Sequence, residues 1–474
     1  MDVGTAGMRC RNILRDSRTS GGAGVIARSV LPGLAALLVS AGTLGAAEPP
    51  TLRIAVRPAE LVAPGGEMRT LDLQTVLDLA ARENLDSRFS VAVAEAAEGE
   101  REASDARWWP TFTVSALARH TDGTVQGTVG DIETTVFSTA LASAILRWEL
   151  NPAATHLRSR TARQAAAAAV AGSEAARLRA QLAAATQYAQ LLGAAGLATV
   201  ARQTRDDAAE FLRLTRLLEE KGLELGVDVQ RARAELARRQ QVLAETQEAF
   251  RLASIRLAET LNIDPGTVIL PADEAIGPPE LPGAENLEEL TSKGLSGRPE
   301  SRSTAQDVAA AESRLAALRW DAHGPGVSVE LQQGWLGKDF PEARERSVYS
   351  AQVGWSFAPY QIGEVHATHA RLDAARLSQQ GTLQRIRAEV AASREAVQLS
   401  RQRLVLAAEA LDAAQNALRI SRLRFEQGIG NTLEVLQAQD VLAAARAEAV
   451  SVIVDAHRAV FELRHAVGGP IGAP

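Results

Sequence analysis

Two long stretches without proline constrain this chain more than any other feature. Residues 153–264 contain no proline, and neither do residues 360–469. Proline removes a backbone hydrogen bond and breaks a helix interior, so each stretch permits helices far longer than usual. Because the two stretches are nearly equal in length, they indicate that the chain uses one plan twice.

Short sequence matches support this internal two-fold repeat. Residues 214–217 (LTRL) resemble residues 420–423 (ISRL), and residues 227–229 (VDV) resemble residues 433–435 (LEV). Both second segments lie 206 positions later, since 420 − 214 and 433 − 227 give the same offset. In each half the pattern predicts, in order, a helix, a strand, a loop, a second strand, a long helix, a tight turn and a return helix.

The long arms have the pattern of a coiled coil. In the second arm a seven-residue spacing of apolar residues predicts a packed seam between antiparallel helices. Glycine accepts the backbone conformation in which helices commonly end, so glycines between the arms predict the hairpin turns. The seam runs through Val390, Val397, Leu404, Leu411, Leu418 and Phe425, and the turn residues are Gly222, Gly226 and Gly428.

The first 47 residues have the features of an export signal. Several arginines precede an apolar stretch from Val30 to Leu44, and small residues at 45–47 offer a cleavage site. The single cysteine, Cys10, falls inside this segment, so the predicted mature chain has no disulfide. The net charge of −6 forms no basic patch, which argues against nucleic acid as a partner.

Four segments alternate apolar and polar residues as β-strands do. The clearest is residues 348–357, in which Tyr349, Val353 and Trp355 alternate with polar or small neighbours. Strands of about ten residues are long enough to cross an outer membrane at a tilt. Loops at 120–133 and 336–347 are expected to join them on the side opposite the helices.

Tryptophan favours the membrane interpretation over a soluble half-buried sheet. All six tryptophans lie in or beside the four predicted strands, and none lies in the helical arms. Indole rings are enriched at membrane interfaces, where an apolar body and an N–H donor are both accommodated. The residues predicted to lie at these interfaces are Trp108, Trp109, Trp148, Trp335 and Trp355.

Four strands are too few to close a barrel, and open sheet edges are not tolerated in lipid, so several chains must combine. The predicted fold is mainly α-helical, with a membrane β-barrel over a helical tunnel. The predicted signal peptide is 1–47, and the predicted tail is 470–474. The first repeat, 48–264, has strands at about 111–119 and 134–148 and a hairpin at 152–263. After an inter-repeat segment at 265–299, the second repeat, 300–469, has strands at about 327–335 and 348–357 and a hairpin at 363–467.

The chain resembles the TolC-like outer-membrane efflux protein family across nearly all of its predicted mature length. Residues 71–86 and 298–300 resemble the opening helices of the family's two halves. Residues 228–234 (DVQRARA) resemble the first hairpin end, and residues 424–428 (RFEQG) with 432–439 (TLEVLQAQ) resemble the second. Each motif is modest, but their order and spacing are specific.

This resemblance implies a homotrimer that closes a twelve-stranded barrel over a twelve-helix periplasmic tunnel, with an equatorial belt from 265–300 and the start of the mature chain. It implies an outer-membrane location in a Gram-negative-type cell, and a passive exit route for solutes. The implied partners are outer-membrane lipid, a periplasmic adaptor and an inner-membrane transporter of RND or ABC type. The alternative is a secreted coiled-coil adaptor or scaffold without membrane insertion.

In the family the hairpin ends narrow to a gate, and its residues are expected here at five positions. Asp228 and Glu434 match acidic gate positions, while Phe425, Gly430 and Gln437 stand where the family often has tyrosine, arginine and a second acid. These departures replace residues on which the family's salt-bridge latch depends. An acidic residue in the first turn of a helix also interacts favourably with the helix dipole. Asp228 and Glu434 can therefore also be interpreted as residues that stabilise a helix N-terminus.

No motif indicates an enzyme. His366 and His369 share one helical face, but no cysteine or carboxylate cluster completes a tetrahedral metal site around them. Phosphate-binding loops, nucleophile elbows and HExxH sequences are absent from the sequence. We therefore expect no catalysis, cofactor or metal.

Overall fold

A computed structural model describes residues 52–57, 67–126, 130–222, 225–283 and 286–472. The predicted signal peptide at 1–47 lies outside the described residues. So do residues 473–474 of the predicted tail.

Two long helical hairpins follow the proline-free stretches. The first consists of α3 (Pro152–Glu220) and α4 (Gly226–Thr260), and the second of α7 (Tyr360–Glu426) and α8 (Thr432–Ala466). At about 1.5 Å per residue, α3 and α7 each extend about 100 Å. The side chain of Asn151 accepts a hydrogen bond from the Ala154 backbone N–H and so begins α3.

The predicted apolar seam of α7 is confirmed. Val390, Val397, Leu418 and Phe425 are buried, and Leu404 and Leu411 are partly buried against apolar clusters of the hairpins. Around them the helix is rich in alanine and polar residues, so a single stripe makes the contact with α8. No helix in the described ranges is both long enough and apolar enough to cross a membrane.

Four shorter helices precede the strands, and the second helix of each pair extends a return helix toward the sheet. These are α1 (Leu73–Glu83), α2 (Leu85–Ala106), α5 (Leu287–Gly297) and α6 (Pro299–His323). Helix α2 packs against α3, and α6 packs against both α3 and α7. Beside the sheet the helices therefore form a single layer in the order α2, α3, α6, α7.

The four predicted strands form one antiparallel sheet. They are β3 (Thr111–Gln126), β4 (Ile132–Leu150), β7 (Gly326–Gly337) and β8 (Arg344–Gly354), in the order β3-β4-β7-β8.

The strands differ from the predicted ones in length. Pairing of β3 with β4 continues to Gln126 and Ile132, so most of the predicted loop at 120–133 is strand. In this extension both faces of the strand carry mostly polar residues. The sequence therefore shows no alternation of apolar and polar residues from which the extension could be predicted. Strand β8 ends at Gly354, so Trp355 lies beyond it.

Two small sheets tie the start of the described chain to the segment between the hairpins. Strand β1 (Ile54–Ala55) pairs with β6 (Ala275–Ile276), and β2 (Met68–Leu71) pairs in parallel with β5 (Val268–Pro271). They cover the largest apolar cluster, in which Phe250, Leu257 and Ile269 are fully buried.

The hydroxyl of Tyr188 anchors this region by donating to Asp273 Oδ2 at 2.7 Å. Burial raises the pKa of this tyrosine well above its ordinary range, so it stays a neutral donor. The inter-hairpin segment is therefore fixed to the middle of α3.

Candidate functional site

The four-stranded sheet has one apolar face. Register pairs Phe112 with Leu146, Leu146 with Leu331, and Leu331 with Tyr349, so one row of apolar side chains crosses all four strands. The exposed fractions along the row are 69%, 36%, 40% and 70%. An apolar surface of this extent is typical of a protein or lipid contact rather than a water-facing sheet.

The opposite face is polar. The adjoining row across the strands is Thr111, Arg147, Glu330 and Ser350. Arg147 Nη2 and Glu330 Oε2 form an ion pair at 2.9 Å. The sheet thus separates an apolar side from a charged one.

Register determines which residues of β4 lie on the apolar face. Phe137, Leu141 and Ile145 share one face of the strand, as the sequence pattern predicts. It is the face of Arg147, because Ile145 pairs with Thr113 and Gln332. Leu146 and Trp148 supply the apolar face of β4, since neighbouring residues of a strand point to opposite faces.

The predicted interface tryptophans lie at two levels of the sheet. Trp148, level with Val329 at the helix-proximal end, donates from Nε1 to the carbonyl oxygen of Trp108 at 3.0 Å. Trp335 lies six residues from Val329 along β7, a separation of about 20 Å. Trp109 and Trp355 flank the proximal end and are largely exposed. Two aromatic levels at about this spacing border the apolar band of membrane strands.

Both outer strands of the sheet have a free edge within the described residues. Strand β3 pairs only with β4, and β8 pairs only with β7. Their outward N–H and C=O groups need water or another chain.

At the far ends of the hairpins, Gly222 and Gly428 have φ angles of +71° and +72°. L-residues rarely adopt these angles, which accounts for glycine at both turns. Gly226, the third predicted turn residue, is instead the first residue of α4. Leu225 precedes it as the N-cap, and the Leu225 carbonyl accepts from Asp228 N at 2.9 Å.

Two of the five gate candidates are structural parts of the second turn. Phe425 is buried against Phe211 of α3, with ring centroids 5.3 Å apart. The backbone N–H of Gly430 donates to the Arg424 carbonyl at 3.0 Å, and a Cβ on Gly430 would lie 3.0 Å from Phe425 N. The turn therefore leaves little room for a side chain at 430.

The other three candidates are polar and lie on the return helices. Asp228 forms an ion pair with Arg231 at 3.0 Å, within its own helix. Glu434 N donates to Asn431 Oδ1 at 2.9 Å, and the Glu434 carboxylate lies 4.0 Å from Arg424. Gln437 is exposed. Among the described residues, no hydrogen bond or ion pair joins Asp228 to the other four candidates.

The sequence interpretation missed an ionic link between the two hairpins. Asp440 of α8 contacts both Arg238 and Arg239 of α4, and Glu235 contacts the same two arginines from within α4. The hydrogen bond to Glu235 raises the pKa of Arg238. The partners are about 200 positions apart, so no local sequence signal identifies the link.

A second ionic link joins three of the hairpin helices. Asp207 of α3 lies 3.4 Å from Arg422 of α7 and 3.8 Å from Arg446 of α8. The hairpins are therefore held together by charges as well as by the apolar cluster around Phe425.

The two histidines of the pair, His366 and His369, are exposed near the start of α7. His369 Nδ1 lies 3.3 Å from Asp373 Oδ2 of the same helix, and both side chains are half exposed. In the part of the chain that the structure describes, no three histidine, cysteine or acidic residues are grouped to hold a metal.

Known structures share this fold. The outer-membrane channel OprN matches with a TM-score of 0.74 at 22% identity, covering 88% of this chain and 97% of that one. VceC from Vibrio cholerae matches with a TM-score of 0.74 at 19% identity, covering 84% and 96%. The open-state MtrE channel of Neisseria gonorrhoeae matches with a TM-score of 0.72 at 18% identity, covering 84% and 89%.

No curated protein gives a significant match to the chain. A family model does match, over residues 76–262 and 290–469, and its description is outer membrane efflux protein. These two segments contain both hairpins and all four strands of the sheet. The chain therefore belongs to the outer membrane efflux protein family.

Proposed function

We propose that three copies of this chain form a passive exit duct, a twelve-stranded barrel in the outer membrane over a periplasmic tunnel of helices. The observation that carries the proposal is the sheet with one apolar face, one charged face and two free edges. In lipid each unpaired backbone group costs several kcal/mol, so the free edges must pair.

The directions of the strands support closure by identical copies. Four antiparallel strands leave β3 and β8 running in opposite directions. The β8 edge of one copy therefore meets the β3 edge of the next as another antiparallel pair. Repeating this contact around a symmetry axis closes a ring and leaves no free edge.

The apolar row must face outward in such a ring, which places Arg147 and Glu330 inside. This is the arrangement of membrane barrels, apolar toward lipid and polar toward the lumen. The helical layer α2, α3, α6 and α7 contributes four helices per copy and continues the wall below. The two aromatic levels then correspond to the two membrane interfaces.

The repeat prediction belongs to the same proposal. A strand pair followed by a long hairpin occurs twice, as β3-β4-α3-α4 and β7-β8-α7-α8. The turns of both hairpins carry glycine at corresponding positions, Gly222 and Gly428. Duplication would give each copy two equivalent wall sections.

We further infer that the hairpin ends narrow the duct and meet a periplasmic adaptor, which connects it to an inner-membrane pump of RND or ABC type. Leu225, Val227, Ile429 and Leu433 are apolar, at least half exposed and close to the turns. An adaptor that covers these side chains would remove apolar surface from water. The five gate candidates surround the same turns.

A secreted coiled-coil scaffold is the less favoured function. It would account for the helical hairpins but would leave the apolar row across all four strands in water. Phe112 and Tyr349 alone are about 70% exposed.

Charge placed on either face of one strand tests the duct directly. Leu331→Glu puts a carboxylate on the apolar row, whereas Gln332→Glu puts the same charge on the polar face of β7. Near the membrane midplane, an arginine or lysine facing lipid costs about 2–4 kcal/mol, and a glutamate costs less but is still unfavourable. We therefore expect the Leu331 variant to be lost from detergent-extractable membranes, and the Gln332 variant to give discrete conductance steps in planar bilayers. Equal behaviour of the two variants would overturn the proposal.

A further inference from the structure

A charged hollow lies on one side of the helical layer just below the sheet. Helices α2, α3, α6 and α7 each contribute one face to it, and its volume is about 730 Å³. Since the four helices form a single layer, a hollow lined by all of them makes that side of the layer concave. In a closed ring of copies, the concave side faces the axis.

The polar sheet face lies on this same side. Asp321 lines the hollow and also a neighbouring groove with Glu149, Ser328 and Gln352, which belong to the polar face of the sheet. The hollow thus continues the charged interior proposed for the barrel.

Among the charged side chains that line the hollow, four are arginines and three are acids. Arg158 pairs with Asp321 across α3 and α6. Arg107, Arg314 and Arg371 also line the hollow and are exposed. Among the described residues, no carboxylate oxygen lies within 4.0 Å of a guanidinium nitrogen of these three arginines.

Two of the unpaired arginines, Arg314 and Arg371, lie at similar distances from the sheet. Arg314 lies nine residues before the end of α6 at His323, and Arg371 lies eleven residues after the start of α7 at Tyr360. The two arginines are therefore about 14 and 17 Å from the sheet-proximal ends of adjacent helices.

The acidic residues of the hollow lie nearer the sheet. Glu364 is four residues into α7, and Glu100 is six residues before the end of α2. The end of the hollow farther from the sheet therefore carries positive charge alone, from Arg314 and Arg371.

We propose that Arg314 and Arg371 form an arginine belt inside the duct that binds and favours anionic solutes, namely those with carboxylate, phosphate or sulfonate groups. The inference rests on the proposed function, since only a closed ring of copies turns the concave face into a lumen. Three copies bring six guanidinium groups to nearly one height.

The chemistry of arginine supports this substrate class. A guanidinium group stays charged, and its planar donors match carboxylate and phosphate oxygens in pairs. Like charges lining a narrow aqueous passage raise the local concentration of counter-ions. An anionic group therefore gains from the belt, whereas a cation is repelled by it.

The test compares three double variants of the protein extracted from membranes and inserted in planar bilayers. Arg314→Gln with Arg371→Gln removes the belt, and Arg314→Lys with Arg371→Lys keeps its charge. Arg319→Gln with Arg387→Gln removes two exposed arginines from the same two helices, on faces outside the hollow. Reversal potentials in a KCl gradient give the chloride to potassium permeability ratio, and inorganic tripolyphosphate on the barrel side serves as the blocking probe.

We expect the Gln belt variant to lower the permeability ratio about threefold and to weaken tripolyphosphate block about tenfold. The Lys variant keeps the ratio and binds tripolyphosphate more weakly than the parent, while the control variant matches the parent. A conducting Gln belt variant with unchanged ratio and block would overturn the belt and leave the duct standing. A parent protein that never conducts would instead overturn the duct.

Discussion

The rings of Phe211 and Phe425 meet with centroids 5.3 Å apart and planes inclined at 51°, joining α3 to α7 beside the second turn. Phe425 is 4% exposed and belongs to an apolar cluster with Val229, Val435 and Leu418, contributed by all four hairpin helices. Packing of the aromatic pair therefore holds the two hairpins together near their ends.

Phe425→Ala should loosen both hairpin ends. Removing a buried phenyl ring costs about 3–5 kcal/mol when the cavity does not collapse. We expect faster amide hydrogen exchange across residues 418–426. Phe425→Leu, which keeps most of the apolar volume, should cost about 1 kcal/mol. Equal exchange in the two variants would show that the ring does not hold the ends together.

Asp440→Asn should weaken the link between α4 and α8 without leaving a buried arginine unpaired, because Glu235 still contacts Arg238 and Arg239. For partly exposed ion pairs the expected loss is about 0.5–1 kcal/mol. Hydrogen exchange in residues 232–243 should accelerate severalfold.

The control for Asp440 is Glu448→Gln, on the same helix. Glu448 pairs with Arg403 at 3.2 Å within the second hairpin and does not connect the hairpins. If this control accelerates exchange in α4 as much as the Asp440 variant does, the link between the hairpins has no special role.

Glu434→Gln should weaken block of the duct by multivalent cations. In a threefold ring, Glu434 would place three carboxylates around a narrow passage, which favours cations. We expect hexaamminecobalt(III) on the tip side to block the variant about tenfold less strongly. Glu426→Gln removes an exposed carboxylate from the same turn and should leave the block unchanged. Unaltered block in the Glu434 variant would exclude the acidic ring.

Two partly buried histidines, His457 and His465, should make the folded chain sensitive to acid. Burial lowers the pKa of His457, whose Nε2 lies 2.9 Å from the Gly277 carbonyl oxygen. Burial, and to a smaller extent the positive charge of Arg298, lowers the pKa of His465. Below the ordinary histidine pKa of about 6.5, the unfolded chain takes up protons that the folded chain does not. The free energy of unfolding therefore decreases as the pH is lowered, until the pH reaches the lowered pKa values of the folded chain.

Melting temperatures at about pH 7.5 and pH 5.5 measure this effect on either side of that pKa. Replacing both partly buried histidines with glutamine should reduce the difference between the two temperatures, and His366→Gln, at an exposed position, should not. A double variant with the full acid sensitivity of the parent would assign that sensitivity to other groups.

The sequence predicted the elements of the fold because each has a local periodicity. The seam through Val390 and Phe425 repeats every seven residues, and the alternation around Tyr349 repeats every two. Strand length was underestimated at 120–126, where threonine and glycine continue the ladder without an apolar pattern.

Contacts between distant segments were not accessible in the same way. Nothing local in the sequence signals that Asp440 meets Arg239, or that Arg314 and Arg371 share one hollow. Likewise, only register shows that Leu146, and not Ile145, continues the apolar row. The gate candidates could be placed at the turns by motif, but their partners depend on the packing of α3 against α7 and α8.

The number of copies in the detergent-extracted particle tests the central claim most directly. Native mass spectrometry of protein purified from membranes measures it without assumptions about conductance. Closure of the free β3 and β8 edges by identical copies predicts a particle of three chains that is released from membranes only by detergent. A single chain, soluble without detergent, would contradict the account.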